Sequence, residues 1–190
     1  MEKPAKMRLA PQDWILAGFR ALVSGGHAAI RAEALARDLG ATKGSFYWHF
    51  KDLRDFHEKM LEAWRGLATT QITRTVLEAD LAPFDRVMLL MDMVSIVPDP
   101  RFGGPAIEPA IRAWALAEPW VHQVVAEVDR QRLSDTVGLL QGAGLCATAA
   151  RHGAETLYAM VIGYENLRLT QRVDMREALH AQVRVLFSAS

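Results

Sequence analysis

The 190-residue chain predicts an all-α protein of about nine helices on three observations. Apolar residues recur at spacings of three and four along most of its length, glycine and proline fall between those segments, and no stretch alternates as a strand would. Such a pattern implies helix packed on helix around a shared core.

The first helix is expected from Pro11 to Val23. Proline suits a first helical turn, Trp14, Ile15, Phe19, Leu22 and Val23 form one stripe, and Ser24-Gly25-Gly26 ends it. A second short helix carries Ile30, Ala34, Leu35 and Leu39 and stops at Gly40, the residue best suited to a left-handed turn. Thr42 then caps a third helix, whose Phe46 and Phe50 lie four apart and point inward with Ala41. Asp52 caps a fourth, and Leu53, Phe56, Met60, Leu61, Trp64 and Leu67 carry its stripe without a proline to about Leu77. A single linking helix over 52–77 follows. Pro83 opens a segment to about Val97, which Pro98-Asp99-Pro100 and Gly103-Gly104-Pro105 break. Helices are then expected from about Ala106 to Leu116, from Pro119 until Gly142-Ala143-Gly144 stops it, from Thr148 to Leu169 and from Asp174 to Phe187.

A hydrophobic fraction of 51% with five tryptophans excludes a disordered chain. The net charge is zero, but it is unevenly spread. Residues 1–51 hold Lys3, Lys6, Arg8, Arg20, Arg31, Arg37, Lys43 and Lys51 against Glu2, Asp13, Glu33 and Asp38, a net +4 that leaves −4 for the remainder. A basic end on an acidic body is the electrostatic footprint of a nucleic-acid partner at one end. Cys146 is the single cysteine, which excludes an intrachain disulfide and a cysteine-rich metal site and suits a cytoplasmic setting. The amino terminus lacks the apolar run of a signal peptide, and Asp92 interrupts the richest apolar stretch, Met88 to Val97, so no membrane segment is expected.

The two helices around Gly40 form a helix-turn-helix whose outer surface suits a phosphate backbone. Lys43 lies near a helix amino terminus, where it either anchors a phosphate or reads a guanine edge. Thr42, Ser45 and Tyr47 offer hydroxyls to phosphates, and Gly44 lets the backbone approach closely. Trp48 either contacts sugar or a thymine methyl or packs against the first helix. His49 is read as a phosphate donor, since no second ligand shares its helix face, and Lys51 as a phosphate contact.

Leu35-Ala36, Leu39-Gly40, Lys43-Gly44-Ser45-Phe46-Tyr47, His49-Phe50 and the capped helix after Lys51 together resemble the tetracycline-repressor-like (TetR) transcriptional regulators, over roughly residues 10 to 60. The resemblance implies a DNA-binding domain over 1–51, with Tyr47 as a phosphate anchor, and a helical ligand-sensing and dimerisation domain over 52–190. Two positions depart from the family pattern. Arg31 replaces the usual threonine at the start of the second helix and cannot cap it, so it is expected to grip phosphate. Leu53 stands where the family places a lysine, with Lys51 and Arg54 as neighbours.

One recognition helix covers too few base pairs for specificity, so a homodimer on a near-palindromic double-stranded operator is expected. The apolar residues of 154–169 surround their helix, and the resemblance implies a four-helix seam built from it and the last helix of each subunit. Leu157, Val161, Tyr164, Leu179, Val183 and Leu186 are the candidates, with Gly163 permitting close approach. A segment rich in methionine and tryptophan supplies candidate effector contacts at Trp64, Met88, Met91, Trp114 and Trp120, with Asp92, Glu108 and Arg112 as polar groups nearby. The expected function is that of a ligand-responsive repressor, released from DNA by a small molecule, with no catalytic residue, metal or cofactor. A helical enzyme and a regulator that senses a protein partner are the alternatives; no nucleophile motif, phosphate loop or paired histidine supports the first.

Overall fold

A computed structural model describes residues 9–188, and every regular element among them is helical. Lys3, Lys6, Arg8 and Glu2 of the charge split lie outside the described residues.

Helix α1 (Pro11–Gly25) starts with proline in its first turn and with the Asp13 carboxylate accepting from the Ala10 amide at 2.7 Å. A 3-10 turn (His27–Ala29) leads into α2 (Ala32–Asp38), so the second helix begins later than its apolar stripe implied. Leu35, Ala36 and the preceding Ile30 are buried, while Ala34 is only partly covered. Gly40, at φ +61°, makes the turn, and the Ala41 amide bonds back to the Ala36 carbonyl at 2.8 Å. Helix α3 (Lys43–His49) is capped by Thr42, whose hydroxyl oxygen accepts from the Ser45 amide at 3.2 Å.

Asp52 caps α4 (Leu53–Arg65), accepting from the Asp55 amide at 2.8 Å. The helix runs through a π turn (Gly66–Thr70) into α5 (Gln71–Glu78) with helical dihedrals at both junctions. The expected linking helix is therefore one rod with a π interruption, which divides it into two α-segments and brings the number of α-helices among the described residues to ten. Helices α6 (Pro83–Ser95), α7 (Ile107–Ala117), α8 (Pro119–Gly142), α9 (Ala147–Leu167) and α10 (Met175–Ser188) lie within a few residues of the sequence expectation.

Two apolar cores result. One gathers Trp14, Phe46, Phe50 and Phe56 in edge and tilted contacts with ring centroids 4.8–5.4 Å apart, and continues without a gap into Ile111, Trp114 and Val121 of the body. A Cβ at Gly18 would stand 2.6 Å from Met60 Sδ and 2.8 Å from the Phe56 ring, so only glycine lets α1 lie this close to α4. The other core unites α5, α6, α8, α9 and α10 around Val76, Met91, Leu140 and Leu157. The α1–α3 unit thus shares a core with α7 and the start of α8 and is not packed by itself.

Three residues expected at a subunit seam are inside this subunit. Leu157 is 1% exposed, because α8 and α10 already flank α9, and Leu179 and Val183 of α10 are fully covered, because α10 packs on α6 and α9. Val161, Tyr164 and Leu186 are half-buried in the same core region.

Candidate DNA-binding surface and effector cavity

The helix-turn-helix presents a continuous polar surface. Thr42, Lys43, Gly44, Tyr47, Trp48 and Lys51 are exposed, and Ser45 and His49 are partly so. Trp48 is 72% exposed. Tyr47 keeps one edge on Phe46 and is 47% exposed, so its hydroxyl points away from the core that fixes its ring. Lys43 pairs across the turn with Glu33, whose carboxylate holds the lysine pKa above its usual value; a phosphate at this position competes with that pair. Arg31 occupies the N-cap position of α2 with no side-chain cap bond and is exposed, as its chemistry demanded. Among the described residues of 9–51, Arg20 pairs with Asp38 at 2.8 Å, while Arg31, Arg37 and Lys51 make no ion pair.

The neighbouring departure has a different outcome. Leu53 packs partly against the first core, and Arg54 lies 3.6 Å from the Trp120 ring centre and pairs with Glu58 at 2.7 Å. Arg54 is drawn toward the body, which leaves Lys51 as the cation at the start of α4.

The body encloses a cavity of about 420 Å³ between the α4–α5 rod and α6–α9. Trp64, Met91, Leu139, Leu157 and Val161 supply apolar wall, and Ile96, 67% exposed, and Leu67, 41% exposed, mark where it reaches solvent. Of the residues expected to line it, Trp64 and Met91 do. Met88, Trp114 and Trp120 do not: Met88 packs into the second core, and Trp114 meets His57 and Trp120 edge-on at 4.9 and 5.7 Å toward the carboxy-terminal end of α7. Asp92 is also elsewhere, bonded to Arg176 and His180 at 2.6 Å between α6 and α10. Leu157 and Val161, expected at a seam, line the cavity.

A buried polar network closes one wall. Glu108 accepts from Trp64 Nε1 at 2.9 Å, from Arg112 at 2.8 Å and from Arg132 at 2.8 Å. Burial works against the Glu108 charge, but Arg132 and then Arg112 hold its carboxyl below the usual range. Arg112 also binds Asp129 at 2.8 Å, and the Tyr158 hydroxyl donates to the same carboxylate. Burial pushes the Tyr158 phenol up to about 12. Arg132 reaches into the π turn, donating to Thr69 Oγ1 at 2.9 Å and to the Ala68 carbonyl at 3.3 Å. The network joins α7, α8 and α9 to the rod that begins beside the recognition helix.

Arg132, Tyr158, Thr69 and Glu165 were not singled out in the sequence as cavity residues. The i,i+4 pair Glu108 and Arg112 was visible there, but Arg132 and Tyr158 reach it only through tertiary packing.

No family profile matches the sequence. Its amino-acid sequence is 29% identical over 85 residues to the transcriptional regulator AcuR of Cereibacter sphaeroides, a match covering 45% of this chain and 39% of that relative's length. Solved structures align over nearly the whole chain. A TetR-like transcriptional regulator from Rhodococcus sp. RHA1 has a TM-score of 0.70 at 12% identity, covering 99% of this chain and 98% of the other. A Saccharomonospora viridis chain described as a transcriptional regulator, in complex with choline, gives 0.76 at 14% identity, with 92% and 95% covered. The regulator FadR from Bacillus subtilis, in complex with stearoyl-CoA, gives 0.67 at 14% identity, with 93% and 97% covered. The fold of this chain is that of the TetR-type transcriptional regulators.

Proposed function

We propose that this chain, with its TetR-type fold, is a homodimeric DNA-binding repressor whose affinity for an operator is set by a small molecule in the body cavity. The observation that carries the reading is the path from one site to the other. The π turn lines the cavity through Leu67, Ala68 and Thr69 and lies on the same rod that starts at Asp52, directly after the recognition helix.

Roles divide at residue 51: 1–51 contacts DNA, and 52–190 senses and pairs. Arg31, Thr42, Lys43, Ser45, Tyr47, His49 and Lys51 hold phosphates, Gly44 allows close approach, and Trp48 meets sugar or a thymine methyl. Two recognition helices enter successive major grooves only when about 34–36 Å apart, so a tilt of the rod is enough to lose the operator. A ligand produces that tilt only by binding one arrangement of the rod better than the other. The π turn suits the purpose, because Arg132 satisfies its Ala68 carbonyl from another helix and a ligand against Thr69 alters that contact. Solved neighbours holding choline and stearoyl-CoA support a small-molecule effector, and a cavity of about 420 Å³ favours a metabolite over a protein partner.

The dimer is supported by outward faces. Ala159 and Gly163 of α9 and Ala181 and Val185 of α10 are exposed, small or apolar, and adjacent to helices that already pack together. A mobility-shift titration on DNA flanking the gene tests the reading. Salt-sensitive retardation of one fragment over a shuffled control is expected, and equal affinity for both would overturn it.

A further inference from the structure

The charges around the cavity do not balance. Of the acids lining it, Glu108 is met by Arg112 and Arg132, and Asp99, near the mouth, by Arg101 at 2.7 Å. Asp135 receives only neutral donors, Thr73 at 2.8 Å and Gln131 at 2.7 Å. Glu165, half-buried on α9, has neither a hydrogen bond nor a cation within 4.0 Å among the described residues. Arg168, the residue that closes the carboxy-terminal end of α9, directs a guanidinium nitrogen to Met175 Sδ.

Arg132, the sole basic side chain on the wall among the described residues, has no capacity left for a ligand. Arg132 has five N–H donors, and five bonds use them: Thr69 from Nε, Glu108 and Tyr158 from Nη1, and Ala68 and Glu108 from Nη2. An anionic head group would therefore meet Glu165 and Asp135 with no free wall cation to receive it. A neutral one would supply no counter-charge, and burial would go on opposing the ionisation of Glu165.

We propose that the cavity takes a lipophilic organic cation, an ammonium group on an apolar body, with Glu165 as its counter-ion and Asp135 as the second carboxylate. Trp64, Met91, Leu139 and Val161 enclose the apolar body. Burial, and then the Glu108 charge, pushes the Glu165 carboxyl up to about 7, so an arriving ammonium ionises it and supplies the missing partner. This assignment rests on the cavity being the effector site.

The test is calorimetric titration of the full chain at pH 8, without DNA, with n-octylamine, 1-octanol and octanoate, which share a tail and differ in head charge. The amine is expected to bind about tenfold or more tighter than octanoate. Glu165→Gln should remove about tenfold from amine affinity while leaving octanol within about twofold, which also reports that the variant is folded; Glu165→Asp should keep the amine preference. Octanoate binding as tightly as the amine, an amine preference that survives Glu165→Gln, or no binding of any of the three overturns the proposal. Because DNA is absent, these results are separate from operator binding, whose failure would overturn the regulator reading instead.

Discussion

Arg31, exposed at the start of α2 with no cap bond and no ion pair, places a guanidinium at a helix amino terminus. Both features attract phosphate and neither reads a base. Arg31→Ala should weaken binding to all sequences alike and reduce the slope of log affinity against log salt by about 0.9, measured by fluorescence anisotropy. An unchanged slope assigns the residue no phosphate. Glu165 makes a prediction about stability. Its folded pKa, about 7, lies above the ordinary 4.5, so its favourable contribution is full below 4.5 and is lost as pH rises through 7. Glu165→Gln should therefore melt with the parent near pH 4.5 and above it at pH 8. The gain is on the order of 2 kcal/mol, roughly 4–8 °C in a chain of this size.

At the scale of elements, α3 is held by rings rather than by its own length. Seven residues do not make a stable helix in water, and Phe46 touches Trp14, Phe50 and Phe56 at once. Phe46→Ala should cost about 3–5 kcal/mol, and because this core continues to Trp114, the whole melting transition should fall by roughly 6–20 °C with DNA binding. Calorimetry showing an unshifted body transition would mean that the head unfolds alone. These short elements were legible in the sequence because their signals are local: Gly40 for the turn, Thr42 and Asp52 for caps, Phe46 and Phe50 for the buried face. The π turn was not. Gly66 to Thr70 reads as ordinary helix, and the wider turn is matched by Arg132, sixty-odd residues away, bonding to Ala68 and Thr69.

At the scale of the molecule, the same distinction separates what was read from what was not. The all-helical layout and the basic head follow from periodicity and charge along the chain. The cavity depends on which apolar faces meet imperfectly, and periodicity marks an apolar face without saying what it meets. Trp64 and Met91 face the gap, whereas Trp114, equally apolar, fills the first core. Leu157 was assigned to a seam because α9 is apolar on several sides, and Leu179 and Val183 because the resemblance pairs the last helix with it, yet α8 and α10 of the same subunit cover the first and α6 and α9 the other two. The proposed seam moves to the outward faces. A Cβ at Gly163 meets nothing within 4 Å in the subunit, so Gly163→Arg should leave the fold intact and convert the dimer to a monomer in light scattering. A variant that remains dimeric would place the seam elsewhere. The central claim, a two-fold dimer that reads DNA with α3 of each subunit, is tested most directly by hydroxyl-radical footprinting on a duplex selected from a random library. The account predicts two related half-sites with centres about 10 base pairs apart, protected on one face of the duplex. A single isolated half-site, or uniform protection without sequence preference, would contradict it.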